Sequence, residues 1–67
     1  MSQQDRILAH LQAGKKLTRL DSWSELGILE CPARISELRS KGWLIQTRMK
    51  EVVNVYGEKI RVAEWSL

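Results

Sequence analysis

The chain reads as an α+β fold, three short helices followed by a C-terminal β-hairpin, and three observations predict it. Helix start and stop signals recur three times before Gly42: Ser2 with Gly14, Thr18 with Gly27, and Pro32 with Gly42 itself. Beyond Gly42 the apolar spacing changes from helical to alternating. Between the two alternating runs lies Tyr56-Gly57, the turn chemistry that a hairpin needs. At 67 residues the chain is expected to form one domain over 1–67, near the lower size limit for folding without disulfides or metal.

The first helix is expected over about residues 3–13, with Ser2 as its N-cap and Asp5 in the first turn, where the helix dipole favours a negative charge. Ile7, Leu8 and Leu11 make its apolar stripe, and Gly14 stops it. Leu17 is a short link with the character of a single β-bridge residue. Thr18 and Asp21 stand three apart as a capping box, with Asp in place of the usual Glu. The second helix then runs to about Leu26 and is expected to bury Leu20, Trp23 and Leu26. Gly27 ends it in a left-handed conformation, and Ile28 and Leu29 are expected to plug the core from the turn.

Pro32 suits the first position of the third helix, where its missing N–H costs nothing, and the helix is expected over residues 32–41. Ile35 and Leu38 point one face inward. At 100° per residue, Ala33, Ser36, Glu37 and Ser40 then face outward, with Arg34, Arg39 and Lys41 on the flanks. Strands are expected over about residues 43–53 and 59–67. In the first, Ile45, Thr47 and Met49 alternate with Gln46, Arg48 and Lys50. In the second, Arg61, Ala63, Trp65 and Leu67 share one face, and Ile60, Val62 and Glu64 the other.

Composition narrows the function. The net charge is +3, from eleven Lys and Arg against eight acids, which is compatible with nucleic acid but too mild to carry that conclusion. Seven bases and five acids lie in 1–42, four bases and three acids in 43–67, so any positive patch must be made by folding. The single cysteine excludes an internal disulfide framework and favours a reducing, cytoplasmic setting. His10 and Cys31 are too few for a structural zinc site, and no cofactor is implied. No apolar run reaches the length of a membrane span, and the opening Met-Ser-Gln-Gln-Asp does not read as a signal peptide. Trp23, Trp43 and Trp65 are read as core anchors, with base stacking as the sharper alternative. His10 is expected at the surface or its boundary, and Cys31 semi-buried with no base beside it. Nucleophile, base and metal ligands never converge, so the chain is not expected to be an enzyme.

Two short helices joined by a few residues are the core of a helix-turn-helix, whose second helix can enter a DNA major groove. On that geometry Ala33, Arg34, Ser36, Glu37, Ser40 and Lys41 become candidate DNA contacts. The small residues allow close approach, Arg34 suits a guanine edge, and Glu37 can accept from cytosine N4. For Arg34 the competing expectation is an ion pair with Glu30 or Glu37. Arg39 suits a phosphate. Thr18 and Arg19, with Lys15 and Lys16, stand at the entrance of the second helix, whose N-terminus can receive a phosphate. Arg48, Lys50, Lys59 and Arg61 are expected as a phosphate-binding cluster on the hairpin, with Tyr56 at its tip.

With these residues in place the chain resembles the small winged helix-turn-helix domains of phage and prophage proteins. The likeness rests on Ile7-Leu8-Ala9-His10-Leu11, Gly14, Leu17-Thr18, Gly27-Ile28, the run from Ala33 to Arg39, Gly42 and the ending from Arg61 to Leu67, where Trp65 stands in a common tyrosine position. It implies that the third helix is a recognition helix and the hairpin a wing. The segment from Gly27 to Cys31 reads as a longer turn than usual, and Trp23 replaces a small residue.

The resulting expectation is double-stranded DNA binding in the cytoplasm of a bacterium or a phage-infected host, for transcriptional regulation or an architectural task such as excision. A homodimer or a cooperative assembly on DNA follows from the weak grip of one small copy. The rival expectation is a protein-interaction module, an adaptor or inhibitor of host machinery.

Overall fold

A computed structural model describes residues 2–67 as α1 (Gln3–Gln12), β1 (Leu17–Thr18), α2 (Arg19–Leu26), α3 (Cys31–Ser40), β2 (Gln46–Val53) and β3 (Lys59–Ser66). The sheet is antiparallel in the order β1-β3-β2. The expected hairpin is therefore the larger part of a three-stranded sheet. Leu17 pairs with Trp65 and Thr18 with Glu64, so the link before α2 is a two-residue strand stitched to the end of the chain.

Two capping boxes set the first two helices. The Ser2 hydroxyl accepts from the Asp5 amide at 3.1 Å, and the Thr18 hydroxyl accepts from the Asp21 amide at 3.1 Å. In each, the aspartate carboxylate accepts in return from the cap residue's own N–H. Gly27 closes α2 at φ 68°, a left-handed position that a side chain adopts only with strain.

α3 begins one residue earlier than expected, at Cys31, so Pro32 sits just inside its first turn. The connection from α2 is consequently residues 27–30, the ordinary length for two helices of a helix-turn-helix. β2 begins at Gln46, three residues later than expected, because residues 43–45 are spent bringing the chain around from α3.

One core gathers Ile7 and Leu11 from α1, Leu17 from β1, Ile28 from the turn, Cys31, Ile35 and Leu38 from α3, Ile45 from the segment before β2, and Trp65 from β3. Each large member contributes about 1.5–3 kcal/mol of burial. Leu26, Trp43 and Ala63 pack against it partly buried, and Leu8 is also half-buried.

Three expectations are corrected here. Leu20 is 73% exposed, Trp23 54% and Leu29 61%, so none of them enters the core. The inward line of α2 is instead Ser22 and Leu26, continuing from the buried Thr18 cap at a spacing of four. The Ser22 hydroxyl donates to the Ile28 carbonyl at 2.9 Å while the Ile28 amide donates to the Ser22 carbonyl at 3.0 Å. That reciprocal brace requires a small polar residue at the centre, and it turns the apolar Leu20 and Trp23 outward.

Candidate nucleic-acid interface

Along α3 the inward residues are Cys31, Ile35 and Leu38, at i, i+4 and i+7. Ala33, Ser36 and Ser40 lie exposed on the opposite side, as their spacing predicts. The Ser40 hydroxyl donates back to the Ser36 carbonyl at 3.1 Å, which keeps this stripe short and smooth. A helix face built from one methyl and two hydroxymethyl groups lets another surface approach its backbone closely.

The flank toward α1 differs from expectation. Glu37 does not project freely outward: it is half-buried and accepts from Gln4 Nε2 at 2.7 Å. Its carboxylate also stands 2.9 Å from Arg34 Nε. That buried nitrogen is paired by charge, yet it is not aligned to donate a hydrogen bond. Lys41 donates to Gln4 Oε1, so Arg34, Glu37 and Lys41 form a polar seam between α3 and α1. The ion pair expected as one alternative for Arg34 is thus formed with Glu37.

Arg39 donates to the Ile45 carbonyl from Nε at 3.1 Å and from Nη2 at 2.7 Å, and also to Thr47 Oγ1 at 2.6 Å. It clamps α3 to the start of β2. His10 sits half-buried with Nε2 3.1 Å from the Lys16 carbonyl, tying α1 to the segment before β1.

The entrance of α2 places Arg19 exposed beside a buried Thr18, whose hydroxyl is occupied by its cap bond. On the hairpin, the register sorts the cations by side. Arg48 faces Glu64 and Lys50 faces Val62 on one side of the sheet, whereas Arg61 faces Glu51 on the other, with Lys59 opposite Val53. The four therefore do not make one cluster but two pairs on opposite faces. Lys50 lies 3.4 Å from Glu64, Lys16 4.0 Å from the same carboxylate, and Lys59 3.8 Å from Glu51. Among the described residues, Arg19, Arg48 and Arg61 form no ion pair.

The hairpin tip is ordered by one side chain. Asn54 Oδ1 accepts from the Tyr56 amide at 2.9 Å and from the Glu58 amide at 3.0 Å. Gly57, at φ 76°, closes the turn with its N–H on the Asn54 carbonyl. Tyr56 is held outward at 84% exposure.

Sequence reasoning missed one surface. Leu20 and Trp23 of α2 and Leu29 of the turn face the Val52, Ile60 and Val62 side of the hairpin across a groove of about 700 Å³. The signal that could have revealed it was the buried serine at 22, which forces the apolar pair of α2 to the outside. No group of His, Cys, Asp and Glu among the described residues could hold a metal ion, and no helix there is long and apolar enough to cross a membrane.

Comparison with known proteins bears on this geometry. A family model described as a winged helix-turn-helix domain matches residues 2–67. No curated protein matches the chain, and no solved structure does.

Proposed function

The chain belongs to the winged helix-turn-helix domain family, and from that premise we propose that it binds double-stranded DNA by laying α3 in the major groove and gripping phosphates with its hairpin wing. Membership points to DNA binding. The observation that carries the mode is the exposed Ala33, Ser36 and Ser40 stripe on a helix fixed at both ends by the Ser22 brace and the Arg39 clamp.

Placing cations on both wing faces suits a ribbon that reaches the two phosphate backbones bordering a groove. Arg48 and Lys50 serve one backbone, Lys59 and Arg61 the other, with Arg19 at the α2 entrance as a further contact and Tyr56 leading the tip. The exposed pair of Lys59 with Glu51 exchanges a carboxylate for a phosphate at little cost, since surface ion pairs are worth only about 0–1 kcal/mol. Arg34, Glu37 and Lys41 act from the α1 seam, and Thr18 acts through its cap at the start of α2, next to Arg19.

The role is a regulator or architectural factor of the phage type, working in the cytoplasm without catalysis. One copy makes few contacts, so pairing or cooperative assembly on repeated sites supplies the affinity.

Titration of mixed-sequence duplex against salt tests this reading. About six phosphate contacts give a log–log slope near −5, and Arg19→Ala, Arg48→Ala and Arg61→Ala each reduce it by about 1. Amide shifts at residues 32–41 and 54–59 on adding duplex are the companion result. A flat salt dependence, or shifts that avoid both segments, would overturn the mode.

A further inference from the structure

The groove between α2 and the wing is apolar where a phosphate-binding face should be polar. Leu20, Trp23, Leu29, Val55, Ile60 and Val62 line it, and Val55 is 94% exposed. Isolated apolar residues at a surface need no explanation, but a contiguous set of this size on so small a chain does. Its volume falls within the range of pockets that accept ligands or peptide anchors, about 300–1,000 Å³.

The charges of the same lining are one-sided. Arg19 and Lys50 stand in it, and its one acid, Asp21, is committed to the α2 cap through the Thr18 N–H at 3.3 Å. Outside the lining, one half-buried carboxylate, Glu64, is shared by Lys50 at 3.4 Å and Lys16 at 4.0 Å, with Arg48 opposite it in the strand register, so cations outnumber acids there. An apolar floor with a cationic rim is complementary to an apolar stripe flanked by acids. A second copy docked groove to groove would bring Arg19 and Lys50 against their own mates, with no free carboxylate in the lining to receive them. A duplex would leave the apolar floor wet.

We propose that this groove docks an acidic segment of a partner protein, inserting apolar side chains between α2 and the wing while its carboxylates meet Arg19 and Lys50. The inference does not rest on the DNA reading. It gives the chain a second contact surface, which shares Arg19 and Lys50 with the first reading.

The probe is a set of synthetic peptides of about 16 residues with leucine at i, i+3, i+4 and i+7, flanked by glutamate, by lysine, or scrambled, together with extended acidic-apolar counterparts. Binding is followed by amide shifts and by the emission of Trp23, the one strongly exposed tryptophan among the described residues. Glutamate-flanked peptides should move Leu20, Trp23, Leu29, Ile60 and Val62, and should bind about tenfold more tightly than lysine-flanked ones at low salt. The double change Leu20→Gln with Ile60→Gln, at exposed positions, should weaken that binding about tenfold while thermal unfolding stays cooperative.

Absence of shifts in the groove with every acidic peptide overturns the proposal. Equal binding of lysine-flanked peptides, or concentration-dependent self-association that shifts the groove residues, does the same. Peptide binding without any duplex binding sinks the DNA reading alone, and the reverse result sinks this one alone.

Discussion

Ser22 is the residue on which the helical pair turns. Its side chain is wholly buried, and its hydroxyl donates to the Ile28 carbonyl. Ser22→Ala leaves that carbonyl without its donor, so the variant should lose about 1–3 kcal/mol, read as a lower midpoint in urea at unchanged slope. Cys31 packs beside it, and burial pushes its thiol above the ordinary value of 9.0, against weaker opposing effects from a Ser22 hydrogen bond and the Arg19 charge. Because the raised value belongs to the folded state, its contribution to stability is full below pH 9 and is lost as pH rises past that point. Alkylation by iodoacetamide at pH 7.5 should be far slower in buffer than in denaturant, because the buried thiol is kept from both solvent and ionisation. The full burial of Cys31 was not legible from residue type. It follows from the helix starting at Cys31 instead of Pro32, which puts Cys31 on one line with Ile35 and Leu38.

At the scale of elements, caps and stops were plainly written in the chain. Ser2 with Asp5, Thr18 with Asp21, and Gly27 all act where their chemistry places them. Gly27→Ala meets no neighbouring atom, so its cost is the left-handed backbone alone, about 1–2 kcal/mol, and should appear as a fall of several degrees in Tm. The inward face of α2 departs from its apolar pattern because Thr18 and Ser22 are buried for their hydrogen bonds. The outward stripe of α3 could be read from spacing. The seam joining Glu37 to Gln4 could not, since it depends on how α1 crosses α3. The sidedness of the wing cations was hidden for a related reason: it needs the pairing register, which alternation within each strand does not supply. Asn54→Ala removes the acceptor for the Tyr56 and Glu58 amides. Hydrogen exchange should accelerate at residues 54–58 while α3 keeps its protection, because the wing tip shares no core residue with the helices.

For the molecule as a whole, one core collects residues from all three helices and from the sheet, and the hairpin extends beyond it, giving extents of 38 × 21 × 20 Å. Unfolding followed at Trp65 and by helical signal should therefore coincide in one transition. The Ser22–Ile28 brace ties α2 to the turn that leads directly into α3, a short and hydrogen-bonded hinge between the two helices. On the proposed DNA reading, a helix pair with so short a hinge leaves any bending of the complex to the duplex. Targets containing readily unstacked pyrimidine–purine steps would then be favoured over rigid adenine tracts, even at base pairs no side chain reaches.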